Sequence, residues 1–461
     1  MHPFAIELDD RAVSFARDGQ VLSTAPSAVW DGSTGDLAGT NAWNALRRHP
    51  TATSTRHLRS LLGQPVATDR SIALVAAEWV RRLATQAPRS GESVWIVAPA
   101  HASRHGLGAM LAIARNLSLP VDGFVDAAVA SVSALGLERD AIVLEIGMHH
   151  IAATYVDRDG AQVRRRRTAL TERGGLMAFY QGWLELVSTT MVRRTRFDPL
   201  HDAATEQQLF DSLATWACEA AVEGSVSAAL AHGAERFEVT LTRDQFAQVG
   251  QPRHREIARL LHELRPAGAP LALVVPSRVA HLPGLRDELE QFADCELVGI
   301  PDGFAAAVTS RLDLPGRACD DPVRLLRRLP SQPGGSGRIS RDMLGSQRSR
   351  SASPSHLLLN GQVYALAGEP LVIGRAPAAS RTITLPDGLA GVSRRHCTLA
   401  PEGGELVLLD HSSFGTFMNG ERVSERVRVH AGDRVRLGDP GVELAFIAVN
   451  EAPGAVGQEP P

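Results

Sequence analysis

Residues 371–375 (LVIGR), 393–396 (SRRH) and 410–420 (DHSSFGTFMNG) belong to a stretch whose pattern differs from that of the preceding chain. Around them, short apolar runs alternate with Gly, Pro, Asn and Asp turns at intervals of roughly eight to twelve residues. Residues 432–433 (GD) and 437–438 (LG) close the stretch. No helical period runs through it, so the spacing predicts an all-β sandwich.

These motifs, in this order, resemble the forkhead-associated (FHA) domain, a family that binds phosphothreonine peptides. The resemblance covers residues 356–450. A phosphate carries about −1.5 to −2 charges and strong acceptor oxygens. A guanidinium offers a planar fork of donors that loop hydroxyls complete. The resemblance therefore implies a phosphothreonine-containing protein as partner, supplied by a Ser/Thr kinase pathway.

The resemblance also assigns roles to particular residues. Arg375 and Ser393 are expected to contact the phosphate, with Arg394 and Ser413 beside them as phosphate or peptide-backbone contacts. Asn419 is expected to hold loop or peptide backbone. The expected scaffold residues are Gly374, His396, Gly415, Thr416 and Gly420, the last in a turn with positive φ.

One loop departs from the family pattern. Many members have Asn-Gly-Thr where this chain has Phe414-Gly415-Thr416, one residue closer to the preceding Asp410. One polar contact to the peptide backbone is therefore expected to be missing. We expect phosphate binding to be retained and the sequence preference to differ.

Residues 313–355 are dense in Ser, Gly, Pro and Arg and predict a flexible linker. From Val323 to Ser355 there are seven Arg and one Asp, which suits either a solvated tether or contact with an acidic surface. The linker has no Thr, so the resemblance favours a partner in trans, or a Thr of the first domain, over the linker itself as ligand. Residues 451–461 are expected to form a disordered tail.

Residues 1–312 mix helix and strand patterns, and several segments carry a second resemblance. It is to the nucleotide-binding domain of the 70-kDa heat-shock chaperones and, more broadly, to actin and sugar kinases. It implies an α/β actin-like (ribonuclease-H-like) ATPase fold, followed by the linker and the sandwich. The segments are 4–8, 12–17, 93–100, 119–131, 140–147, 151–166, 237–246, 271–277 and 301–307.

The phosphate loops of that family are altered here. The first should hold an Asp, a Gly and two hydroxyl residues, and the matching run is Glu7-Leu-Asp9-Asp10-Arg. The second should read Asp-Leu-Gly-Gly-Gly-Thr, and here Glu145-Ile-Gly147 is followed by Met148-His149-His150. Glycine lets backbone N–H groups approach a phosphate. Carboxylates at the same place repel a phosphate by roughly a few kcal/mol at close range.

Two further positions differ in the same sense. Ser277-Arg278 stands where the adenosine loop has Gly-Gly, and Arg59 stands where the family has its catalytic lysine. The eight positions Glu7, Asp9, Asp10, Arg59, Glu145, Gly147, Ser277 and Arg278 are therefore expected to be a vestigial nucleotide site, with no catalytic residue, metal ligand or cofactor. The alternative is weak nucleotide binding, with Mg²⁺ held through water by Glu7 and Glu145.

The composition limits the chemistry further. All 48 basic residues of the Lys and Arg count are Arg. GC-rich coding would also produce this composition. Because there is no lysine, Schiff-base and Walker-type lysine chemistry is excluded. A net charge of −3 disfavours a nucleic-acid binder. The four cysteines are far apart, the first residues lack a signal-peptide pattern, and no apolar run approaches a membrane span. These features predict a cytoplasmic protein.

Three minor motifs have ordinary explanations. His101 and His105 have the spacing of zinc ligands, but a surface or capping role is expected for them; no metal role is expected for His149-His150 either. Residues 164–167 (RRRR) are expected to be a solvated strand edge, with a docking patch or a kinase target at Thr168 as alternatives.

Two functions fit the sequence. The first is a non-enzymatic adaptor, in which a chaperone-ATPase-like platform is joined to a phosphothreonine reader. The second is an active ATP-dependent chaperone-like or switch enzyme whose location is set by the reader. The first is favoured, because the phosphate loops are altered and because no substrate-binding sandwich or lid pattern follows residue 312.

Overall fold

The computed structural model divides the chain into two units, Met1–Leu344 and Gly345–Pro461. Each is described by itself below. The described residues are 2–30, 38–63, 68–85, 87–233, 235–266, 270–277, 282–292, 294–316, 322–331, 354, 356–359, 362–366, 369–385, 391–402, 405–418, 421–423, 425–430, 433–438 and 442–447.

The first unit mixes helices with strands. Its elements, in chain order, are β1 (Phe4–Leu8), β2 (Ala12–Arg17), β3 (Gln20–Pro26), β4 (Val29–Trp30), α1 (Thr40–Trp43), β5 (Thr53–Ser54), α2 (His57–Gly63), α3 (Asp69–Thr85), β6 (Val94–Ala98), α4 (Arg104–Asn116), β7 (Val121–Asp126), α5 (Ala127–Ala134), β8 (Ala141–Ile146), β9 (Ile151–Asp159), β10 (Gln162–Thr171), α6 (Leu176–Thr195), α7 (Ala203–Glu223), β11 (Ser225–His232), β12 (Glu235–Thr242), α8 (Arg243–Leu264), β13 (Leu271–Pro276), α9 (Leu285–Glu290), β14 (Cys295–Ile300), α10 (Phe304–Thr309), β15 (Arg324–Leu326) and β16 (Arg328–Pro330).

The two large sheets of this unit repeat one strand order. The first runs β15-β7-β6-β1-β2-β3 and the second β14-β13-β8-β9-β10-β16. In each, three consecutive strands form an antiparallel meander, and two later strands add in parallel beside the first strand of that meander. The predicted α/β class is confirmed, and the unit contains the same five-strand pattern twice.

The parallel strands are the most buried part of the unit. All five residues of β6 (VWIVA) are buried, as is the run LALVV at the start of β13. Parallel strands covered on both faces show such continuous apolar runs instead of an alternating pattern. One core cluster, which includes Phe4, Ile96 and Trp79, packs against the first sheet. Another, which includes Phe179 and Trp183, packs against the second.

Helix caps fix the loops that follow the parallel strands. Ser103 caps α4 by accepting a hydrogen bond from Gly106 N at 3.0 Å. Asp126, the last residue of β7, caps α5 through Ala128 N at 3.1 Å and also pairs with Arg165 at 2.7 Å. These caps set where β6 and β7 end, and so the position of the residues that follow them.

The stretch 322–331 joins the edges of both large sheets. β15 pairs in parallel with β7, and β16 pairs antiparallel with β10. Leu329 is buried, while Arg328 pairs with Asp159 at 3.0 Å. Here the structure differs from the flexible linker predicted over 313–355, because residues 324–326 and 328–330 form strands. The high arginine content of this stretch gave it the composition of a linker. Most of that range, from 332 to 353, and the tail 451–461 lie outside the described residues.

The second unit is a β-sandwich, as predicted. Its strands are β17 (His356–Leu359), β18 (Gln362–Ala365), β19 (Leu371–Gly374), β20 (Arg381–Thr384), β21 (Cys397–Glu402), β22 (Glu405–Asp410), β23 (Thr416–Met418), β24 (Glu421–Arg422), β25 (Arg426–Val429), β26 (Arg434–Leu437) and β27 (Val442–Ile447). One sheet runs β18-β17-β27-β26-β23-β24 and the other β20-β19-β21-β22-β25. Leu357, Ile373, Leu408 and Phe446 belong to the core of this unit.

Within the part of the chain that the structure describes, no helix is both long and apolar enough to cross a membrane.

Candidate functional site

Three loops of the sandwich meet where the sequence predicts phosphate contacts. Arg375, directly after β19, donates its backbone N–H to Ser393 O at 3.1 Å, and Ala376 N donates to Arg394 O at 2.9 Å. Ser413 N, in the loop between β22 and β23, donates to Ser393 Oγ at 3.1 Å. The structure therefore brings Arg375, Ser393, Arg394 and Ser413 together.

The Arg375 side chain follows the loop that precedes β21. It is half-buried, and its Nε donates to Val392 O at 2.5 Å. Among the described residues, no acceptor binds its two terminal nitrogens. A guanidinium held by its inner nitrogen keeps its outer donors for a planar anion such as a carboxylate, or for a phosphate.

Gly374 and His396 build the support beneath this cluster. A Cβ on Gly374 would lie 2.1 Å from Arg394 O, so the strand and the loop approach each other too closely for any side chain. His396 is fully buried, donates its backbone N–H to Ile373 O at 2.8 Å and accepts from Ser393 N at Nδ1 over 3.0 Å. Burial lowers the pKa of His396, which keeps the ring neutral and able to accept.

Asp410 organises the loop between β22 and β23. Its Oδ1 accepts from Ser412 N at 2.9 Å and from Thr416 Oγ1 at 2.7 Å, while Ser412 Oγ accepts from Gly415 N at 2.8 Å. Burial raises the pKa of Asp410, but the hydrogen bonds from Thr416 and Ser412 outweigh it and hold the pKa below its usual value. Sequence reasoning gave Asp410 and Ser412 no role, although short polar residues before a glycine are a turn signal.

The remaining predicted residues fall into two groups. The Arg394 and Ser413 side chains are exposed beside the cluster, and Phe414 is 59% exposed. Gly415 has a φ of +92°, and Thr416 is fully buried at the start of β23. Asn419 and Gly420 lie outside the described residues.

The sandwich matches a known family over most of its length. The match is to the FHA domain and covers residues 371–438. Residues 371–438 form an FHA domain. The first resemblance is thereby confirmed, and the FHA domain has the Arg375 cluster among its loops.

Two relatives carry the same domain in their names. The chain is 37% identical over 87 residues to the FHA domain-containing protein FhaB of Mycolicibacterium smegmatis, which is 19% of this chain and 54% of that protein. It is 34% identical over 107 residues to the FHA domain-containing protein FhaB of Mycobacterium tuberculosis, which is 22% of this chain and 66% of that protein. The chain thus spans between half and two thirds of these relatives' lengths.

The first unit has a cleft of its own, at the carboxyl ends of β1, β8 and β14. It encloses about 80 Å³. Of the eight predicted positions, Glu7, Asp9, Glu145 and Gly147 line this cleft, together with Arg11, Asp302 and His150. The structure therefore collects half of the predicted vestigial site in one place.

Asp10 accepts hydrogen bonds from the loop after β8, the loop that the second resemblance expects to bind a phosphate. Its carboxylate, fully buried, accepts from Met148 N at 2.7 Å, His149 N at 3.1 Å and His150 Nδ1 at 3.2 Å. Burial raises the pKa of Asp10, but these hydrogen bonds and the charge of His150 outweigh it and lower the pKa. The backbone donors after β8 are present, but a carboxylate of the same chain occupies them.

Three further carboxyl groups make the cleft acidic. Burial raises the pKa of Glu7 to about 7, that of Asp9 to about 6 and that of Glu145 to about 7. Glu7 accepts from Ala306 N at 2.9 Å, and Arg11 pairs with Asp302 at 3.1 Å. With these pKa values the three groups are partly to largely ionised at neutral pH, and the negative charge that they carry opposes the phosphate chain of a nucleotide.

Two other predicted positions, Arg59 and Ser277, do not line the cleft. Arg59, in α2, pairs with Glu172 at 2.5 Å. Ser277 follows β13 and is half-buried, while Arg278 lies outside the described residues. Arg59 is thus committed to an ion pair at the position where the resemblance expects a catalytic lysine.

The histidines differ from the sequence-based interpretation. His105 is exposed, but His101 has both ring nitrogens buried, and its ring centroid lies 4.1 Å from that of His150. The cap of α4 is Ser103, not His101. His149 Nε2 lies 2.8 Å from Thr55 Oγ1. The spacing of His101 and His105 did not predict the contact between His101 and His150, because these two residues are distant in sequence.

The arginine run in β10 is not a free patch. Its members have partners: Arg164 and Arg166 pair with Asp157, Arg165 with Asp126, and Arg167 donates to Leu264 O. Thr168 Oγ1 lies 3.2 Å from Thr154 Oγ1 within the sheet. The run therefore serves ion pairing within the first unit, which favours neither a docking patch nor a kinase target there.

Proposed function

We propose that the protein is a phosphothreonine-reading signalling adaptor that acts downstream of a Ser/Thr kinase. The observation that carries this proposal is the cluster of Arg375, Ser393 and Ser413 on the loops of the FHA domain. Outer guanidinium donors and two serine hydroxyls on loops that are bonded to one another suit a phosphate dianion. Exposed Phe414 lies beside it and would contact the residues that flank the phosphothreonine.

Replacing Arg375 tests this proposal. The full chain is titrated into fluorescent phosphothreonine peptides of degenerate flanking sequence and into their unphosphorylated forms. The wild type is expected to bind only the phosphorylated set, and Arg375→Ala to lose binding at least a hundredfold. Charge-assisted bonds to a phosphate are among the strongest polar contacts, so the loss is large.

A matched variant removes the same charge elsewhere in the domain. Arg426 is exposed in β25 and pairs with Glu402 at 2.9 Å. Arg426→Ala is expected to bind as the wild type does, and both variants to retain the β signal in circular dichroism. Equal binding by Arg375→Ala and the wild type would refute the proposed reader.

We propose further that the first unit has an actin-like (ribonuclease-H-like) ATPase fold that does not hydrolyse ATP. The two mixed sheets, in which parallel strands alternate with helices, support the fold, since the resemblance implies an α/β architecture. The Asp10 carboxylate on the backbone donors of Met148 and His149 supports the loss of activity. The unit would then serve as a protein-binding platform.

Nucleotide titration separates this proposal from an active ATPase. All six tryptophans lie within residues 30–216, so tryptophan fluorescence reports the unfolding of the first unit alone. Mg-ATP in millimolar excess is expected to leave the midpoint of thermal unfolding unchanged within about 1 °C, because an unbound ligand does not stabilise the fold. A rise of several degrees would instead favour the ATP-dependent switch.

We propose that the platform extends from residue 1 through residue 331, past the predicted limit at 312, because β15 and β16 pair with its two large sheets. The proposed reader covers 356–450 and is joined to the platform by the intervening chain, and the proposed location is cytoplasmic. Cys295 and Cys397 form no disulfide among the described residues, which fits such a location. The partners proposed are phosphothreonine proteins on one side and platform-bound proteins on the other.

A further inference from the structure

Three side chains that offer metal ligands meet at the wall of the cleft in the first unit. His101, Glu145 and His150 each present one ligand atom, and these atoms lie within 4.8 Å of one another. His101 follows β6, Glu145 is in β8, and His150 precedes β9. Three separate elements of the fold therefore converge on one point.

Two of the three side chains have ligand atoms without a partner. Nδ1 and Nε2 of His101 and Oε1 of Glu145 are buried and, among the described residues, bind no hydrogen-bond partner. More than nine tenths of buried polar groups in proteins are hydrogen-bonded, so such atoms clustered together require an explanation. A bound cation would satisfy one ring nitrogen of His101 and Oε1 of Glu145 at once.

The other polar side-chain atoms of His150 and Glu145 are already held in place. His150 Nδ1 donates to Asp10 Oδ2 at 3.2 Å, which leaves Nε2 as its ligand atom. Ala100 N donates to Glu145 Oε2 at 3.1 Å, which leaves Oε1. A carboxylate that orients the far nitrogen of a histidine is the usual outer support of a metal ligand.

We propose that His101, Glu145 and His150 bind a divalent transition-metal ion of the zinc class. Two imidazoles and one carboxylate suit zinc, whereas Mg²⁺ prefers oxygen ligands alone. Ligands about 2.0–2.2 Å from a tetrahedral ion lie about 3.4 Å apart, so the side chains need to move only by about 1 Å to close on it. Glu145 and His150 line the cleft, so the fourth position opens toward it.

Zinc binding by the full chain tests the site. The protein is prepared without a histidine tag, stripped with a chelator and titrated with Zn²⁺ against a chromophoric competitor. The wild type is expected to bind one Zn²⁺ per chain tightly. His101→Ala and Glu145→Gln are each expected to weaken this binding at least tenfold.

A histidine four residues away supplies the matched control. His105 is exposed on α4, and His105→Ala is expected to bind Zn²⁺ as the wild type does. Tryptophan fluorescence and circular dichroism verify that each variant folds, and Glu145→Gln keeps the size of its side chain. No tight site in the wild type, an unchanged affinity in folded Glu145→Gln, or an equal loss in His105→Ala would overturn the proposal.

Co²⁺ in place of Zn²⁺ gives a second readout. A site with mixed nitrogen and oxygen ligands and fewer than six neighbours is expected to produce a visible absorption band in the wild type and in His105→Ala. The band is expected to be absent from His101→Ala. A band of equal intensity in all three proteins would mean that other residues bind the ion.

Discussion

Asp10 and Gly374 each determine what a neighbouring loop can bind. Asp10 occupies the backbone donors of the loop after β8, and a Cβ on Gly147 would lie 2.4 Å from Asp10 Oδ1. Gly374 has the opposite effect, since its missing side chain lets the Arg394 carbonyl approach and holds Arg375 beside Ser393. Asp10 thus occupies backbone donors of its loop, and Gly374 lets the loops around Arg375 approach each other.

Glu7 gives a pH dependence whose sign follows from its burial. Burial raises its pKa from 4.5 to about 7, so the fold disfavours the ionised form. Glu7 therefore costs no free energy of unfolding below about pH 4.5, where it is protonated in both states. As the pH rises toward 7, the unfolded chain ionises at Glu7 before the folded chain does, and the free energy of unfolding falls. Glu7→Gln stays neutral, so relative to the wild type it is expected to gain about 1–3 kcal/mol in free energy of unfolding between pH 5 and 8.

Urea unfolding followed by tryptophan fluorescence measures this gain in the first unit. Glu223, exposed in α7, supplies the control, and Glu223→Gln is expected to show the same pH dependence as the wild type. If Glu7→Gln and the wild type differed by the same amount at pH 5 and pH 8, Glu7 would not be the group that titrates.

At the level of elements, the pattern of apolar residues predicted the strands whose burial depends on their own sequence. The buried run VWIVA of β6 and the alternating strands of the sandwich were readable, because apolar periodicity follows directly from which faces are covered. The loop residues Arg375, Ser393 and Ser413 were also found, since motif order fixes them. The cluster itself depends on hydrogen bonds that only the folded loops form.

Elements stabilised by distant partners were not predicted. β15 and β16 are three residues each, and they exist because the edges of β7 and β10 are available to them. The burial of His101 depends on its contact with His150, almost fifty residues away. The repeated strand order of the two large sheets is likewise a property of pairing rather than of sequence similarity.

At the scale of the whole molecule, arginine has different roles in the two units. In the first unit, arginine is used for ion pairs, as in Arg165 with Asp126 and Arg59 with Glu172. In the FHA domain, Arg375 uses its inner nitrogen for a backbone carbonyl, and no acceptor among the described residues binds its outer nitrogens. A guanidinium is permanently charged and suited to holding a phosphate rather than to transferring one. The position of Arg375 therefore agrees with the reader proposed for the FHA domain.

An adaptor must bind two kinds of partner at once, and this distinguishes it from a simple reader. Immobilised full-length protein is expected to capture phosphothreonine proteins from a lysate of its own cells, together with proteins bound to the first unit. Arg375→Ala is expected to lose the first set and keep the second, because the first unit has a separate core. Quantitative mass spectrometry compares the wild type, Arg375→Ala and the Arg426→Ala control, each with and without prior phosphatase treatment of the lysate. Phosphatase is expected to remove the same set that Arg375→Ala loses. If Arg375→Ala lost every captured protein, the first unit would not be a protein-binding platform.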